Sequence, residues 1–287
     1  MPLVAVLLVV GAAACHCAWN LILKSESDRA EVSLGALIVG AVLTSPVLAV
    51  YALRDISLEG WLLIALSGVF ETAYVIALTA AYGAGDLSLV YPIARGTPAL
   101  LVAPLSVALL GERLSAPGVV GIGLVVAGIF ATHQPARHGG TARAGGSHGR
   151  AVVLAILTGL AISGYSFVNK LGVQRVPVPL YATLVFAVDA VFLAIVLRAR
   201  GGLRWPLLPR GRWRPTVIVG VLMMGSYLGV LGAMTLAPLA YVVAAREMSI
   251  VLTTIAGVVL LGERASARRL GGATLIFAGL VAIALSR

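Results

Sequence analysis

The feature that most constrains this chain is a series of apolar runs, each about 20 residues long, separated by short polar segments. A helix rises about 1.5 Å per residue, so a run of this length crosses about 30 Å of hydrocarbon. Hydrophobic residues make up 60% of the chain and charged residues only 11%, whereas about a quarter of the residues in soluble domains are charged. The sequence therefore predicts an all-α, polytopic membrane protein.

Ten such runs predict ten transmembrane helices. Their expected limits are 3–23, 32–53, 60–81, 87–110, 116–132, 151–170, 179–197, 215–236, 239–261 and 267–286. The first run is too long for a signal-peptide core and is followed by further spans, so we expect it to be retained as a helix.

The second half of the chain repeats the first. Residues 93–128 align with residues 244–279 without a gap, so that "LLGER" meets "LLGER" and Arg95 meets Arg246. Each copy holds five predicted spans, an odd number, and the second copy must start on the opposite side of the membrane. We predict two inverted five-helix repeats, residues 1–132 and 151–287, joined by a polar linker, residues 133–150. Such repeats place a substrate site near the midplane and let one half rock against the other.

The positive charge of the chain has a simple membrane explanation. The formal net charge is +10, and six arginines lie between positions 198 and 214. Clustered basic residues can bind nucleic acid, but these lie in one loop between spans, where they set topology and contact lipid headgroups. We expect membrane lipids as partners and no nucleic acid. The distribution of basic residues among the loops also places both termini outside the cell by the positive-inside rule.

Metal and enzyme signatures are weak. Cys15 and Cys17 flank His16, but residues two apart on a helix project about 200° apart, so the two thiols cannot share one ion and are better explained by packing. The linker sequence "GGSHG" matches a serine-hydrolase pattern that requires a preceding strand, and none is predicted. We expect no metal, no cofactor and no enzymatic activity.

Five ionisable residues lie inside the predicted spans. They are Glu71, Arg95, Asp189, Arg246 and Glu247. A charge at the centre of a membrane helix costs about 2.5–3.5 kcal/mol on insertion scales, so it normally faces a cavity or a partner. Burial favours the neutral form of a carboxyl group and a nearby arginine favours the charged form, which makes Glu71, Glu247 and Asp189 candidates for proton coupling.

Arg95 and Arg246 occupy equivalent places in the two inverted copies. We therefore expect both guanidinium groups to approach a central cavity, where their permanent charge and forked donors suit a carboxylate or phosphate. The alternative is that the arginines only neutralise the intramembrane carboxylates and fix helix packing.

Further polar residues share helix faces with these charges. The remaining substrate-binding candidates are Tyr91, Tyr74, Ser249, Thr253 and Tyr227. For Tyr74 and Tyr227 a packing role is the alternative. Pro92 and Pro98 bracket Arg95, with Gly96 beside it, and because proline removes a helical hydrogen bond we expect a kink and a hinge at these three residues.

The repeated "LLGER" motif, the Gly-rich helix that follows each copy and the segment "GDLSLVYPIARGTPALL" resemble the EamA family of the drug/metabolite transporter superfamily. This resemblance implies a secondary transporter of small metabolites, often an exporter of amino acids or related compounds, commonly in exchange for protons. Related organophosphate antiporters bind phosphate through basic residues on the fourth and ninth helices, where Arg95 and Arg246 lie. The family usually keeps both termini in the cytoplasm, against the charge distribution, so the orientation stays open.

We therefore expect a secondary transporter that exports a small anionic or zwitterionic metabolite by alternating access. Coupling to protons, a place in the bacterial inner membrane, and a monomeric or homodimeric state belong to this expectation. The alternative is a proton-coupled multidrug exporter of hydrophobic cations, in which Glu71 is the shared drug and proton site.

Overall fold

The computed structural model describes residues 1–26, 28–85, 87–132, 147–199, 201, 213–261 and 266–286. Within these ranges the regular structure is helical and contains no strand. The helices are α1 (Leu3–Ser25), α2 (Arg29–Thr44), α3 (Val47–Val50), α4 (Leu58–Ala84), α5 (Leu87–Leu110), α6 (Ala116–Thr132), α7 (Ser147–Gly172), α8 (Val178–Ala199), α9 (Trp213–Leu236), α10 (Leu239–Ala245), α11 (Met248–Leu261) and α12 (Ala267–Leu285), with a short 3-10 turn at Leu53–Asp55. The prediction of an all-α fold is confirmed.

The helices form ten apolar segments. Among the described residues, nine segments are long and apolar enough to cross a membrane, and the tenth, α6, is a shorter apolar helix. Two segments consist of two consecutive helices, α2 with α3 and α10 with α11. The expected polytopic architecture is confirmed. Of the expected linker, residues 133–146 lie outside the described residues, and the division at 132 and 151 stays a prediction.

Helices of the first half pack mainly against helices of the second half. The most extensively packed pairs are α6 with α12, α4 with α7, and α1 with α9. The largest hydrophobic core is shared in the same way, with Ala12 and Leu34 from the first half and Phe186 and Leu231 from the second. The interface between the halves therefore runs through the core, where a substrate site of an inverted-repeat protein is expected.

Glycines let α6 and α12 approach backbone to backbone. A Cβ atom on Gly121 would lie 2.6 Å from the carbonyl oxygen of Gly279, and one on Gly128 would lie 2.7 Å from that of Gly272. Small residues at such crossings allow the close van der Waals packing that holds membrane helices together. The Gly-rich last helix of each repeat thus joins the halves.

The first "LLGER" motif closes one end of the molecule. The Glu112 carboxylate accepts hydrogen bonds from the backbone amides of Leu239, at 2.7 Å, and Ala240, at 3.5 Å, where α10 begins. Lys170 Nζ lies 3.6 Å from Glu112 Oε1 and donates to the carbonyls of Met234 and Ala237 at 2.6 and 2.9 Å. These contacts fasten the end of α5 to the start of α10, so the repeats are in contact here.

A second contact strengthens this closed end. The Ser115 amide donates to the Tyr241 hydroxyl at 2.8 Å, and α5 packs against α10. At the end that Glu112 closes, the two halves are therefore joined by hydrogen bonds of both Glu112 and Tyr241.

Candidate functional site

A small cavity lies between α1, α5, α9 and the junction of α10 with α11. It is lined by Ala12, Ala13, His16, Arg95, Ser226, Val230 and Arg246. Both repeats contribute to it. The structure thus brings Arg95 and Arg246, which lie in equivalent places in the two copies, to one chamber.

Arg95 is paired with a carboxylate of the other repeat. Its Nε atom donates to Glu247 Oε2 at 3.2 Å, and the two side chains are 14% and 7% exposed. A hydrogen bond to the Tyr91 side chain also holds Arg95 in place. Arg95 therefore forms a buried ion pair with Glu247, which was the alternative to a role in anion binding.

Arg246 has a different environment. Its Nη2 atom donates to the Tyr165 hydroxyl at 3.2 Å, and its Cζ atom lies 5.7 Å from the centre of the Tyr165 ring, a cation–π distance. Among the described residues, no carboxylate lies within 4.0 Å of its guanidinium nitrogens. Two guanidinium groups therefore line the cavity beside a single paired carboxylate, an arrangement that favours a negatively charged guest.

The ninth span is interrupted at these charges. Helix α10 ends at Ala245 and α11 begins at Met248, and in between the amides of Glu247 and Ser249 donate to carbonyls three residues earlier, at 3.1 and 3.2 Å. No proline lies in this stretch. Consecutive side chains on a helix point about 100° apart, so Arg246 and Glu247 face different directions at this turn.

The fourth span remains helical at its prolines, and the kink expected there stays a prediction. Helix α5 is continuous from Leu87 to Leu110 with Pro92 and Pro98 inside it. The Thr97 hydroxyl donates to the Ile93 carbonyl at 2.6 Å, one residue before the Ala94 carbonyl, whose helical donor is absent because of Pro98. A hinge at Pro92, Gly96 and Pro98 stays a prediction.

The other candidate residues lie in two places, near the cavity and in a second polar group. Tyr74 contacts the Tyr165 ring edge to face at 6.2 Å and so supports the partner of Arg246. Ser249 is buried, and its carbonyl accepts a hydrogen bond from the Thr253 hydroxyl at 2.7 Å. Thr253 also lies 3.3 Å from Cys17 Sγ. Neither Ser249 nor Thr253 lines the cavity.

Glu71 and Asp189 belong to a second polar group, which we call the carboxyl cluster: Ser67, Glu71, Asn169, Tyr181, Asp189 and Tyr227. The Tyr227 hydroxyl donates to Glu71 Oε1 at 3.2 Å. Ser67 Oγ and the Tyr181 hydroxyl donate to Asn169 Oδ1 at 2.7 and 3.0 Å. The carboxyl groups of Glu71 and Asp189 are within hydrogen-bonding reach of each other. This cluster also joins the repeats, since Ser67 and Glu71 lie in the first and the others in the second.

Several residues of these sites were not among the predicted site residues, and His16, Tyr165 and Asn169 are examples. His16, set aside with the flanking thiols, lines the cavity and packs edge to face against Trp19 at 4.9 Å. Its position one turn after Ala12, in the middle of a span, is the signal that could have indicated it. Tyr165 and Asn169 are also one turn apart on α7. In the described ranges, no group of three His, Cys, Asp or Glu residues could hold a metal ion.

The two halves of this architecture both match a known protein family. The model of the EamA-like transporter family matches residues 3–133 and 149–285, once in each half of the chain. The chain belongs to the EamA-like transporter family. The resemblance carried by the "LLGER" and "YPIARGTP" segments is thereby confirmed. This EamA-like protein is a multi-pass membrane transporter.

Solved structures support the fold of the EamA-like protein. One crystal structure is 18% identical in sequence and superposes with a TM-score of 0.76, over 98% of this chain and 96% of that chain. At this identity the likeness shows the fold alone. No curated protein gives a significant match to the chain.

Proposed function

We propose that this protein is a secondary active transporter that exports a small metabolite bearing a carboxylate or phosphate, such as an amino acid or a related compound. The observation that carries the proposal is Arg246, a guanidinium in the cavity whose partner, Tyr165, is neutral. A cation in a low-dielectric site is stabilised by an anion that enters with its own charge. Arg95, already paired with Glu247, adds positive potential and positions the substrate.

Movement at the interface between the two halves would carry the substrate across the membrane. Because the cavity is lined by helices of both repeats, rocking of one half against the other exposes it first to one side and then to the other. The contacts of Glu112 and Lys170 hold one end shut in the state described here. We propose that the protein acts in the bacterial inner membrane, as a monomer or homodimer, and that protons drive export.

The multidrug alternative fits the cavity less well. A hydrophobic cation would need an unpaired carboxylate, but Glu247 is engaged by Arg95 and two guanidinium groups line the chamber. Like charges in a low-dielectric site repel strongly. Glu71 lies in a separate cluster and is occupied by neighbouring side chains.

Counterflow in proteoliposomes tests this proposal. Vesicles loaded with a mixture of unlabelled amino acids and phosphorylated metabolites should accumulate at least one labelled member of the mixture. We expect Arg246→Gln to lower this accumulation about 10- to 100-fold, the value of one charge-assisted hydrogen bond, and Arg246→Lys to lower it less. The matched control is Arg175→Gln, since Arg175 forms a half-exposed ion pair with Glu59 at the protein end. Unchanged counterflow in Arg246→Gln would remove the anion site.

A further inference from the structure

We propose that Glu71 and Asp189 form a proton-binding site distinct from the arginine cavity, in which two carboxyl groups from opposite repeats share one proton. The transport role of this site rests on the proposed function, whereas proton binding itself does not. The site lies on α4 and α8, and the cavity lining includes neither residue.

Contact between two carboxyl groups requires a proton. Both groups of a fully ionised pair are hydrogen-bond acceptors only, so side chains within hydrogen-bonding reach repel unless one of them donates. Asp189 is 5% exposed, and its Oδ1 atom has no hydrogen-bond donor among the described residues. A buried pair with so few donors is stable when it carries one proton between its members.

Neighbouring side chains orient Glu71 without neutralising the pair. The Tyr227 hydroxyl donates to Glu71 Oε1 at 3.2 Å, and Ser67 Oγ lies 3.4 Å from the same oxygen while donating to Asn169. The neutral Tyr181 side chain contacts the cluster through its hydrogen bond to Asn169. Among the described residues, the charged group that acts on Glu71 through space is Arg246, which lies outside ion-pair distance.

Glu247 is excluded from this role by its partner. Its carboxylate is held by Arg95 at 3.2 Å and so gains no advantage from a proton. Of the three intramembrane carboxyl candidates, the contacts therefore select Glu71 and Asp189 together and leave Glu247 as part of the arginine site.

The pair couples proton binding to movement because its members belong to different halves. With the proton bound, a hydrogen bond joins α4 to α8, and the space for it exists because Gly68 lets Asp189 approach α4. When the proton leaves, two carboxylates face each other in a low-dielectric site and push the helices apart.

Proton counting tests the site without a substrate. A pH-indicator dye reports the protons taken up by purified wild-type protein in detergent between about pH 9 and about pH 5, the range over which shared buried carboxyls titrate. We expect Glu71→Gln and Asp189→Asn each to lower this uptake by about one proton per molecule. Glu59→Gln, which removes a half-exposed carboxylate of the same helix outside the carboxyl cluster, is the control for the loss of a carboxylate. Equal uptake by wild type and both buried variants would overturn the proposal.

A measurement on the wild type guards against variants that fail to fold. Infrared difference spectra should show the stretching band of a protonated carboxyl group at neutral pH, shifted in D₂O. The absence of that band would overturn the proposal. Stabilisation of the wild type by Na⁺ at fixed pH, lost in Glu71→Gln, would assign the site to a metal cation and would also overturn it.

The transport arm separates failure of the proton site from failure of the anion site. In Glu71→Gln and Asp189→Asn we expect counterflow to persist while accumulation driven by a pH gradient is lost. Arg246→Gln should lose both. If Glu71→Gln retains gradient-driven accumulation, the pair is not the coupling site, whatever the state of the cavity.

Discussion

Arg95 shows how one side chain can serve both helix packing and the binding site. It joins the first repeat to Glu247 of the second through a contact that is 14% and 7% exposed. Removal of one partner from a buried pair leaves an uncompensated charge, which costs about 3–5 kcal/mol. The pair therefore matters more as a unit than either charge does alone.

This pairing gives a double-mutant prediction. We expect Arg95→Gln and Glu247→Gln each to lower thermal stability in detergent strongly, and the double variant to recover most of the loss because no unpaired charge remains. Arg54→Gln is a suitable control, since Arg54 and its neighbour Asp55 are largely exposed. Additive losses in the double variant would mean that the two charges act independently.

Gly68 controls the distance between the carboxyl groups. A Cβ atom at this position would lie 2.5 Å from Val188 Cγ1 and 3.1 Å from Asp189 Oδ1. We expect Gly68→Ala to cost about 1–3 kcal/mol through overpacking and to reduce proton uptake, measured with the same dye. The control is Gly83→Ala on the same helix, where a Cβ atom would meet nothing within 4 Å. Normal proton uptake in Gly68→Ala would show that the contact tolerates a wider separation.

At the scale of single residues, the sequence predicts which charges matter but not how they pair. The equivalence of Arg95 and Arg246 follows from the repeat, and the structure brings both to one cavity. Their partners differ because pairing depends on helix rotation across the bundle, which a span pattern does not encode. His16 was missed for a related reason, since its environment is made by α5 and α9 rather than by its own helix.

At the scale of helices, apolar runs predict the spans well and their ends less well. Helix α4 extends from Leu58 to Ala84, beyond the expected 60–81 at both ends, and the Ser57 hydroxyl caps its start by accepting from the Gly60 amide at 3.1 Å. The break at Arg246 could not be predicted from proline positions, since the span that contains prolines is the continuous one. Tertiary contacts of Arg246 and Glu247 stabilise the turn instead.

The loop between α5 and α6 gives a prediction about closure. Glu112 holds the start of α10 through the Leu239 amide and Lys170. We expect Glu112→Ala to loosen this end, because the amide and the ammonium both lose their acceptor. In a Cys15→Ala, Cys17→Ala background, the thiol of Ser115→Cys should then react several-fold faster with a hydrophilic maleimide. A rate equal to that of the parent would show that Tyr241 alone keeps the end closed.

At the scale of the whole molecule, the inverted repeat predicts that the two ends are equivalent, although alternating access closes only one of them at a time. Each half supplies an "LLGER" motif, and the inverted repeat predicts that the two motifs lie at opposite ends of the fold. The structure describes the first of them, in contact with α10, whereas Glu263 lies outside the described residues. Alternating access requires the two ends to close in turn. The equivalence of Glu112 and Glu263 therefore assigns them opposite effects on the same equilibrium.

This opposition can be measured with thiols at the equivalent positions Ser115 and Ser266, one at each end. In the background without native cysteines, we expect Glu112→Gln to raise labelling of Ser115→Cys and lower that of Ser266→Cys, because weaker closure at one end shifts the population toward closure at the other. Glu263→Gln should change both rates in the reverse direction. Labelling from each side of oriented vesicles would also establish which end faces the cytoplasm. If both variants shift the rates in the same direction, the two motifs do not compete for one rocking motion.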